Sequence, residues 1–98
     1  MLEKLTHDSF AAELGSEFRL PIEGRAPLVL ALAEATPLGS ARPGGSRAPF
    51  SLVFRGPRGP VLPQRIYRLE HDRLGALEIF IVPIGPDAHG MRYEAIFT

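Results

Sequence analysis

Beyond Ser16 the chain alternates between apolar and polar residues. Phe18, Leu20 and Ile22 are separated by Arg19 and Pro21, and Phe50, Leu52 and Phe54 by Ser51 and Val53. Tyr67, Leu69 and His71 are separated by Arg68 and Glu70, and Met91, Tyr93, Ala95 and Phe97 by Arg92, Glu94 and Ile96. A period of two sends successive side chains to opposite faces, so each segment reads as a strand with one face on a core. Between the segments stand Glu23-Gly24-Arg25, Gly56-Pro57-Arg58-Gly59-Pro60, Asp72-Arg73-Leu74-Gly75 and Pro83 to Gly90, all turn chemistry. Two further strands complete the set. Leu28 to Thr36 sets Leu28, Leu30 and Leu32 against Val29, Ala31, Ala33 and Ala35, although its alanines also permit a helix. Leu77 to Val82 is apolar on both faces except at Glu78, which marks a central strand, or one covered by the helix or a second subunit. Pro21 lacks a ladder donor and marks an edge or a bulge.

The start of the chain has a different period. Thr6 is an N-cap, Leu5 and Phe10 occupy hydrophobic-staple positions, and Gly15 closes a helix of about eight residues with a left-handed residue. Phe10, Leu14 and Ala11 are expected on its inward face. The expected fold is therefore mainly β, a small six-stranded antiparallel β-barrel or sandwich, with one short N-terminal α-helix that plugs an end or covers a face. Residues 1–98 form a single domain on this reading, with the helix in 1–15 and the barrel in 16–98. The expected core rings are Phe10, Phe18, Phe50, Phe54, Tyr67, Tyr93 and Phe97. Residues 36–49, rich in Gly, Pro, Ser and Arg, form a long exposed loop, expected to be mobile.

Composition removes several function classes. With no cysteine there is no disulfide scaffold, thiolate zinc site or cysteine nucleophile. The longest apolar run, Ala26 to Ala33, contains Pro27 and is far short of the roughly 18 residues a membrane span needs. Met1 to Leu5 has neither the basic nor the apolar region of a signal peptide, and the expected location is cytoplasmic. Eleven basic and eleven acidic residues cancel, but unevenly: residues 1–34 carry −3, residues 35–73 carry +5 and residues 74–98 carry −2. A basic block invites a nucleic-acid reading. The aromatics fall on the inward face and no recognition helix is present, so the reading adopted is no nucleic acid and no membrane. Opposite charges on parts of one small domain also suit self-association into a homo-oligomer.

The candidate chemistry is thin. In Glu70-His71-Asp72 a histidine flanked by carboxylates could serve as a general base. Strand neighbours point to opposite faces, however, so the two carboxylates cannot both orient His71, and a hydrogen-bonded structural histidine is the better reading. His7, His71 and His89 lack the short spacings of a preassembled metal site, and none is assigned a metal. Gly39 to Ser46 has no Gly-Lys-Ser or Gly-Lys-Thr and leads into a strand, so it is no phosphate cradle, although Arg42 and Arg47 could hold an anion or a partner's carboxylates. No Gly-x-Ser-x-Gly elbow occurs. No cofactor is expected, and no catalytic residue is assigned.

Several strings together carry a family likeness: Phe50-Ser51-Leu52-Val53-Phe54-Arg55-Gly56-Pro57, Leu62-Pro63-Gln64, Tyr67-Arg68-Leu69-Glu70-His71, Leu74-Gly75, Phe80-Ile81-Val82-Pro83-Ile84-Gly85 and Tyr93-Glu94-Ala95-Ile96-Phe97, with Phe10, Leu14, Gly15 and Phe18-Arg19-Leu20 before them. The chain resembles a family of small bacterial proteins classed as a domain of unknown function. It departs from that pattern at Arg65-Ile66, where family members tend to carry Gly-Thr. The resemblance implies a compact, mainly β domain without an established activity. It also implies companionship with phage-tail-collar-like proteins and so a structural role. Two functions remain in view. One is a non-catalytic interaction or assembly module, engaging a protein partner or itself. The other is a small-molecule-binding barrel or minor enzyme with a site near His71. The candidate binding residues are Arg55, Arg68, Glu70, His71 and Asp72.

Overall fold

The computed structural model of the chain describes residues 4–40 and 47–98. One helix, α1 (His7–Ala11), precedes six strands: β1 (Glu17–Ile22), β2 (Arg25–Pro37), β3 (Phe50–Gly56), β4 (Arg65–His71), β5 (Gly75–Asp87) and β6 (Gly90–Phe97). All pairings are antiparallel, and the strands close into a barrel in the order β1-β2-β3-β6-β5-β4. The expected fold class is the observed one.

Two strands are longer than expected, β5 about twofold, and each serves two neighbours. The first half of β2 pairs with β1, from Arg25 to Ala31, and the second half pairs with β3, from Ala31 to Pro37. In the same way β5 pairs with β4 from Gly75 to Ile81 and with β6 from Val82 to Asp87. Each long strand carries a register shift near its change of partner, between Leu32 and Glu34 in β2 and between Pro83 and Gly85 in β5. An extra residue bends a strand and increases its twist, which is how a strand turns the corner of a small barrel. The chain thus builds one plan twice: the meanders β1-β2-β3 and β4-β5-β6 each consist of a short strand, a bulged 13-residue strand and a short strand.

The bulges correct two expectations. Ala35 does not share the outer face with Val29. The extra residue flips the parity, and Ala35 packs against the core opposite Leu52. Pro83 to Gly90 is not a loop. The strand continues to Asp87, and only Ala88 and His89 make the turn to Gly90. Pro21 does sit at a bulge, between Leu20 and Ile22. The strand buried on both faces is β3, with Ser51 and Val53 covered on the outside, whereas Phe80 on β5 is half exposed. β3 is flanked along its length by β2 and β6, and Val53 lies between Glu34 and Glu94. No such shield stands over Phe80, because β5 is unpaired with β6 there.

The interior is filled by rings and branched side chains. Phe10, Phe18, Phe50, Phe54, Leu30, Leu32, Leu52, Leu69, Ile79, Ile81 and Tyr93 are almost wholly buried, and Tyr67 is half-buried at the rim. Phe50 stacks on Phe97 at 4.7 Å, and Phe10 lies against both at 5.8 and 5.6 Å. These rings meet where β3 begins and β6 ends, so α1 plugs that end of the barrel. Helix α1 spans only five residues, held by the Thr6 cap, whose side chain accepts from the Ser9 N–H while Ser9 accepts from the Thr6 N–H. So short a helix persists because Phe10 anchors it, a burial that contributes on the order of 2–3 kcal/mol. Gly15, with φ of 85°, ends the turn and donates to the Leu32 carbonyl at 2.8 Å. Leu14, expected inward, is instead half exposed, because the chain has already left the helix at that point.

The expected loop 36–49 shortens at its start, to 38–49. Thr36 and Pro37 belong to β2, the Leu38 N–H donates to the Pro49 carbonyl at 2.9 Å, and Arg47 lies over the Phe50 and Phe97 rings. Residues 41–46, including Arg42, lie outside the described residues, and the expectation of mobility falls on them. At the opposite hairpin Gly90, with φ of 149°, rests on the backbone of Gly56, and a Cβ there would collide with the Gly56 carbonyl oxygen. Gly90→Ala is therefore expected to destabilise by about 3 kcal/mol, through strain and overlap together. Gly39→Ala, where a Cβ meets only ordinary contact with Pro49, is expected to stay within about 0.5 kcal/mol. Urea unfolding midpoints of the two variants check this contrast.

Candidate functional site

The five candidate residues fall in three different settings. His71 ends β4 and points inward as its alternation requires. It is 4% exposed and lies against the Phe18 ring at 4.4 Å. Its Nδ1 accepts from the Arg73 and Leu74 N–H groups, both at 3.1 Å. Its Nε2 therefore carries the proton and donates to Ser16 Oγ at 2.8 Å, and that hydroxyl donates onward to the Glu13 carbonyl at 2.6 Å. The imidazole is fixed as the neutral tautomer with both nitrogens engaged. Burial pushes its pKa down, against the pull of the Glu13 carboxylate 3.6 Å away.

Glu13 is itself buried and belongs to Arg73, whose Nε donates to both carboxylate oxygens at 2.8 and 2.9 Å. The Arg73 guanidinium also donates through Nη2 and holds the Glu13 carboxyl below its usual range. Together these groups tie the end of α1 to the β4–β5 turn. A histidine with both nitrogens committed to fixed neighbours offers no lone pair to a substrate, so this is a structural clasp rather than a general base. Sequence reading missed Glu13, Ser16 and Arg73. They stand 55 to 60 positions from their partners and carry no local signature.

Arg68, Glu70 and Asp72 lie at the barrel's closure. β1 and β4 pair at one register position, Arg19 with Glu70. Around it Arg19 donates to Asp72 at 2.9 Å, and Arg68 donates to Glu70 at 3.3 Å. These exposed pairs contribute little each, and they sit where the ladder is weakest. Arg55 is three strands away in either direction around the barrel, on β3. Its guanidinium donates to Asp87 through Nε and Nη2, and Asp87 also accepts from the His89 N–H at 2.8 Å. The Arg55 hydrogen bonds hold Asp87 far below the usual carboxylate range. The fold therefore does not bring Arg55 to the other four residues.

The histidines stand apart as well: His7 on α1 donates to the Ala35 carbonyl at 3.0 Å, and His89 is in the β5–β6 turn. Among the described residues no three His, Cys, Asp or Glu side chains gather closely enough to hold a metal ion, and no helix is long and apolar enough to cross a membrane.

Two hollows flank the β4–β5 hairpin. One, of about 310 Å³, lies in the gap between β1 and β4 and is lined by Leu20, Pro21, Arg65, Ile66, Tyr67 and Arg68. The other, of about 300 Å³, lies where β5 and β6 part and is lined chiefly by Ile66, Glu78, Phe80, Ile96 and Phe97. A third, of about 370 Å³, lies between α1 and the Arg47 segment. Ile66 and Phe80 are register partners, and with Ile96 they make an apolar row across three strands, exposed by 62, 50 and 61%. Alternation with the buried Leu69 and Ala95 places Ile66 and Ile96 on the outer face, but the gaps beside them are visible only in the register.

The family model for the domain of unknown function DUF6916 matches residues 5–97. The chain belongs to that family. The match spans both meanders and the helix. No curated protein matches the chain, and no solved structure does. The family assignment attaches no activity to any of the residues above.

The His71 cluster sets a pH dependence. A folded-state pKa below the ordinary 6.5 means the unfolded chain takes up the proton first, so stability falls as pH drops below about 6.5. His7 acts with the opposite sign, since its hydrogen bonds to Asp8 and the Ala35 carbonyl raise its pKa. In a His7→Gln background the unfolding free energy is therefore expected to decline from pH 7 to pH 5. Adding His71→Gln is expected to remove that slope and to lower stability at pH 7 by about 2 kcal/mol. Denaturant titrations at three pH values measure both effects.

Proposed function

We propose that this domain is a non-catalytic assembly module that self-associates through the outer face of β4, β5 and β6. The observation that carries the reading is the exposed row Ile66, Phe80 and Ile96. Outer positions of a two-faced antiparallel sheet are ordinarily polar, and a contiguous apolar patch rimmed by charge is the signature of a contact surface. The rim supports a second copy as the occupant. Beside the apolar pair Ile66 and Phe80, Arg68 stands opposite Glu78, one charge of each sign. A surface that carries both signs next to its apolar centre is complementary to itself when turned about a two-fold axis.

The binding-barrel alternative finds less support. The interior is occupied by side chains, and His71 is committed to Ser16 and the turn backbone. The assembly role implied by the likeness to companions of phage-tail-collar-like proteins fits a self-associating domain and rests on that likeness alone.

Sedimentation equilibrium tests the reading. The wild-type chain is expected to dimerise at high micromolar concentration. Phe80→Ser/Ile96→Ser is expected to be monomeric, at least tenfold weaker in association, with its melting temperature unchanged within a few degrees. A wild-type chain that stays monomeric at millimolar concentration overturns the proposal.

A further inference from the structure

The gap between β1 and β4 borders the apolar row at Ile66 but has a different chemistry. β4 is fully paired with β5 on one side, from Arg65 to His71. On its other side it meets β1 only at Glu70, so the edge from Arg65 to Leu69 has no ladder partner in β1. β1 cannot extend the pairing. Its register shifts between Leu20 and Ile22, and Pro21 within the bulge has no N–H to offer. The result is a strand edge beside an open hollow, a template for one more strand.

We infer that this edge accepts an extended, acidic segment of another protein by strand addition. The groove supplies two arginines, Arg65 and Arg68, and no carboxylate among its lining residues. Arg68 is shared with Glu70. Arg65 has no carboxylate partner among the described residues and lies over the Tyr67 ring at 5.8 Å. Leu20, Ile66 and Tyr67 provide the apolar contacts that alternate side chains of an added strand would use. Leu69 is wholly buried, so the open edge is the four residues from Arg65 to Arg68, which at about 3.3 Å each accommodate a segment of about four residues. Charge also decides against a second copy here. Two β4 edges paired with each other would bring Arg65 and Arg68 of one chain against Arg65 and Arg68 of the other. The two surfaces share Ile66 and Arg68, but Phe80 and Ile96 do not line this groove and Arg65 is not part of the apolar row, so substitutions at those positions tell the two proposals apart.

The test selects peptides on the immobilised wild-type chain. The probes are two libraries of eight-residue peptides, one alternating Asp or Glu with any apolar residue, the other placing Lys at the charged positions. Retention from the acidic library is expected to exceed that from the lysine library at least tenfold. Arg65→Glu/Arg68→Glu is expected to invert that preference while the chain stays folded, its melting temperature lowered by a few degrees through loss of the Arg68 pair with Glu70. Backbone N-methylation at alternate residues of the best peptide is expected to abolish its binding, whereas Phe80→Ser/Ile96→Ser leaves it intact. The inference is overturned by equal retention of the two libraries, by no retention of either, or by binding that survives N-methylation or the double charge reversal. Displacement of the acidic peptide by an equal concentration of single-stranded DNA also overturns it, in favour of a general anion site.

Discussion

Closing six strands into a ring with a core this small requires some strands to belong to two sheets at once, and β2 and β5 meet that requirement. Each is 13 residues long, each changes neighbour half-way, and each carries a bulge near the change. Backbone hydrogen bonds have to be satisfied along both halves, while the side chains must still alternate between core and solvent. The inserted residue reconciles these demands by resetting the parity. Without it the second half of β2 would turn Ala35 outward, away from Leu52. The packed interior, the plugged end beneath α1 and the two gaps beside the β4–β5 hairpin all follow from this arrangement.

Those gaps are where the ring opens, and both proposed contacts fall beside them. A barrel whose strands paired along their full lengths would offer only side chains to a partner. Here β5 leaves β6 before Phe80 and β1 leaves β4 beyond Arg19, so both apolar surface and strand edge are presented on one hairpin. The candidate residues Arg68, Glu70 and Asp72 acquire their meaning in this setting. They reinforce the single register position that closes the ring. His71 has a comparable task on the inner side, tying the β4–β5 turn through Ser16 to the end of α1.

Much of this was legible in the sequence. Alternation located four strands, two further apolar segments located parts of β2 and β5, the aromatic positions located the core except for Tyr67 at its rim, and Thr6, Phe10 and Gly15 located the helix with its cap and anchor. The parity of Tyr67, Leu69 and His71 correctly turned His71 inward. What escaped had a common cause. A bulge not marked as Pro21 marks its own is one extra residue among others, so Ala33 looked like an ordinary strand position and Pro83 to Gly90, Ile84 included, looked like a loop. Ion pairs such as Glu13 with Arg73 and Arg55 with Asp87 depend on which strand ends come together, which periodicity does not encode. The repeated plan was invisible for the same reason, since the two meanders share strand lengths and bulges rather than residues.

That repetition bears on the connection from β2 to β3. The second meander joins its bulged strand to the next with Ala88 and His89 alone, whereas the first uses residues 38–49 for the equivalent step. The architecture therefore supplies its own measure of how short this crossing can be. Twelve positions stand where two suffice to turn the chain, and the described ones serve another end: Leu38 donates to the Pro49 carbonyl, and Arg47 covers the Phe50 and Phe97 rings and donates to the Leu5 carbonyl, beside the end that α1 plugs.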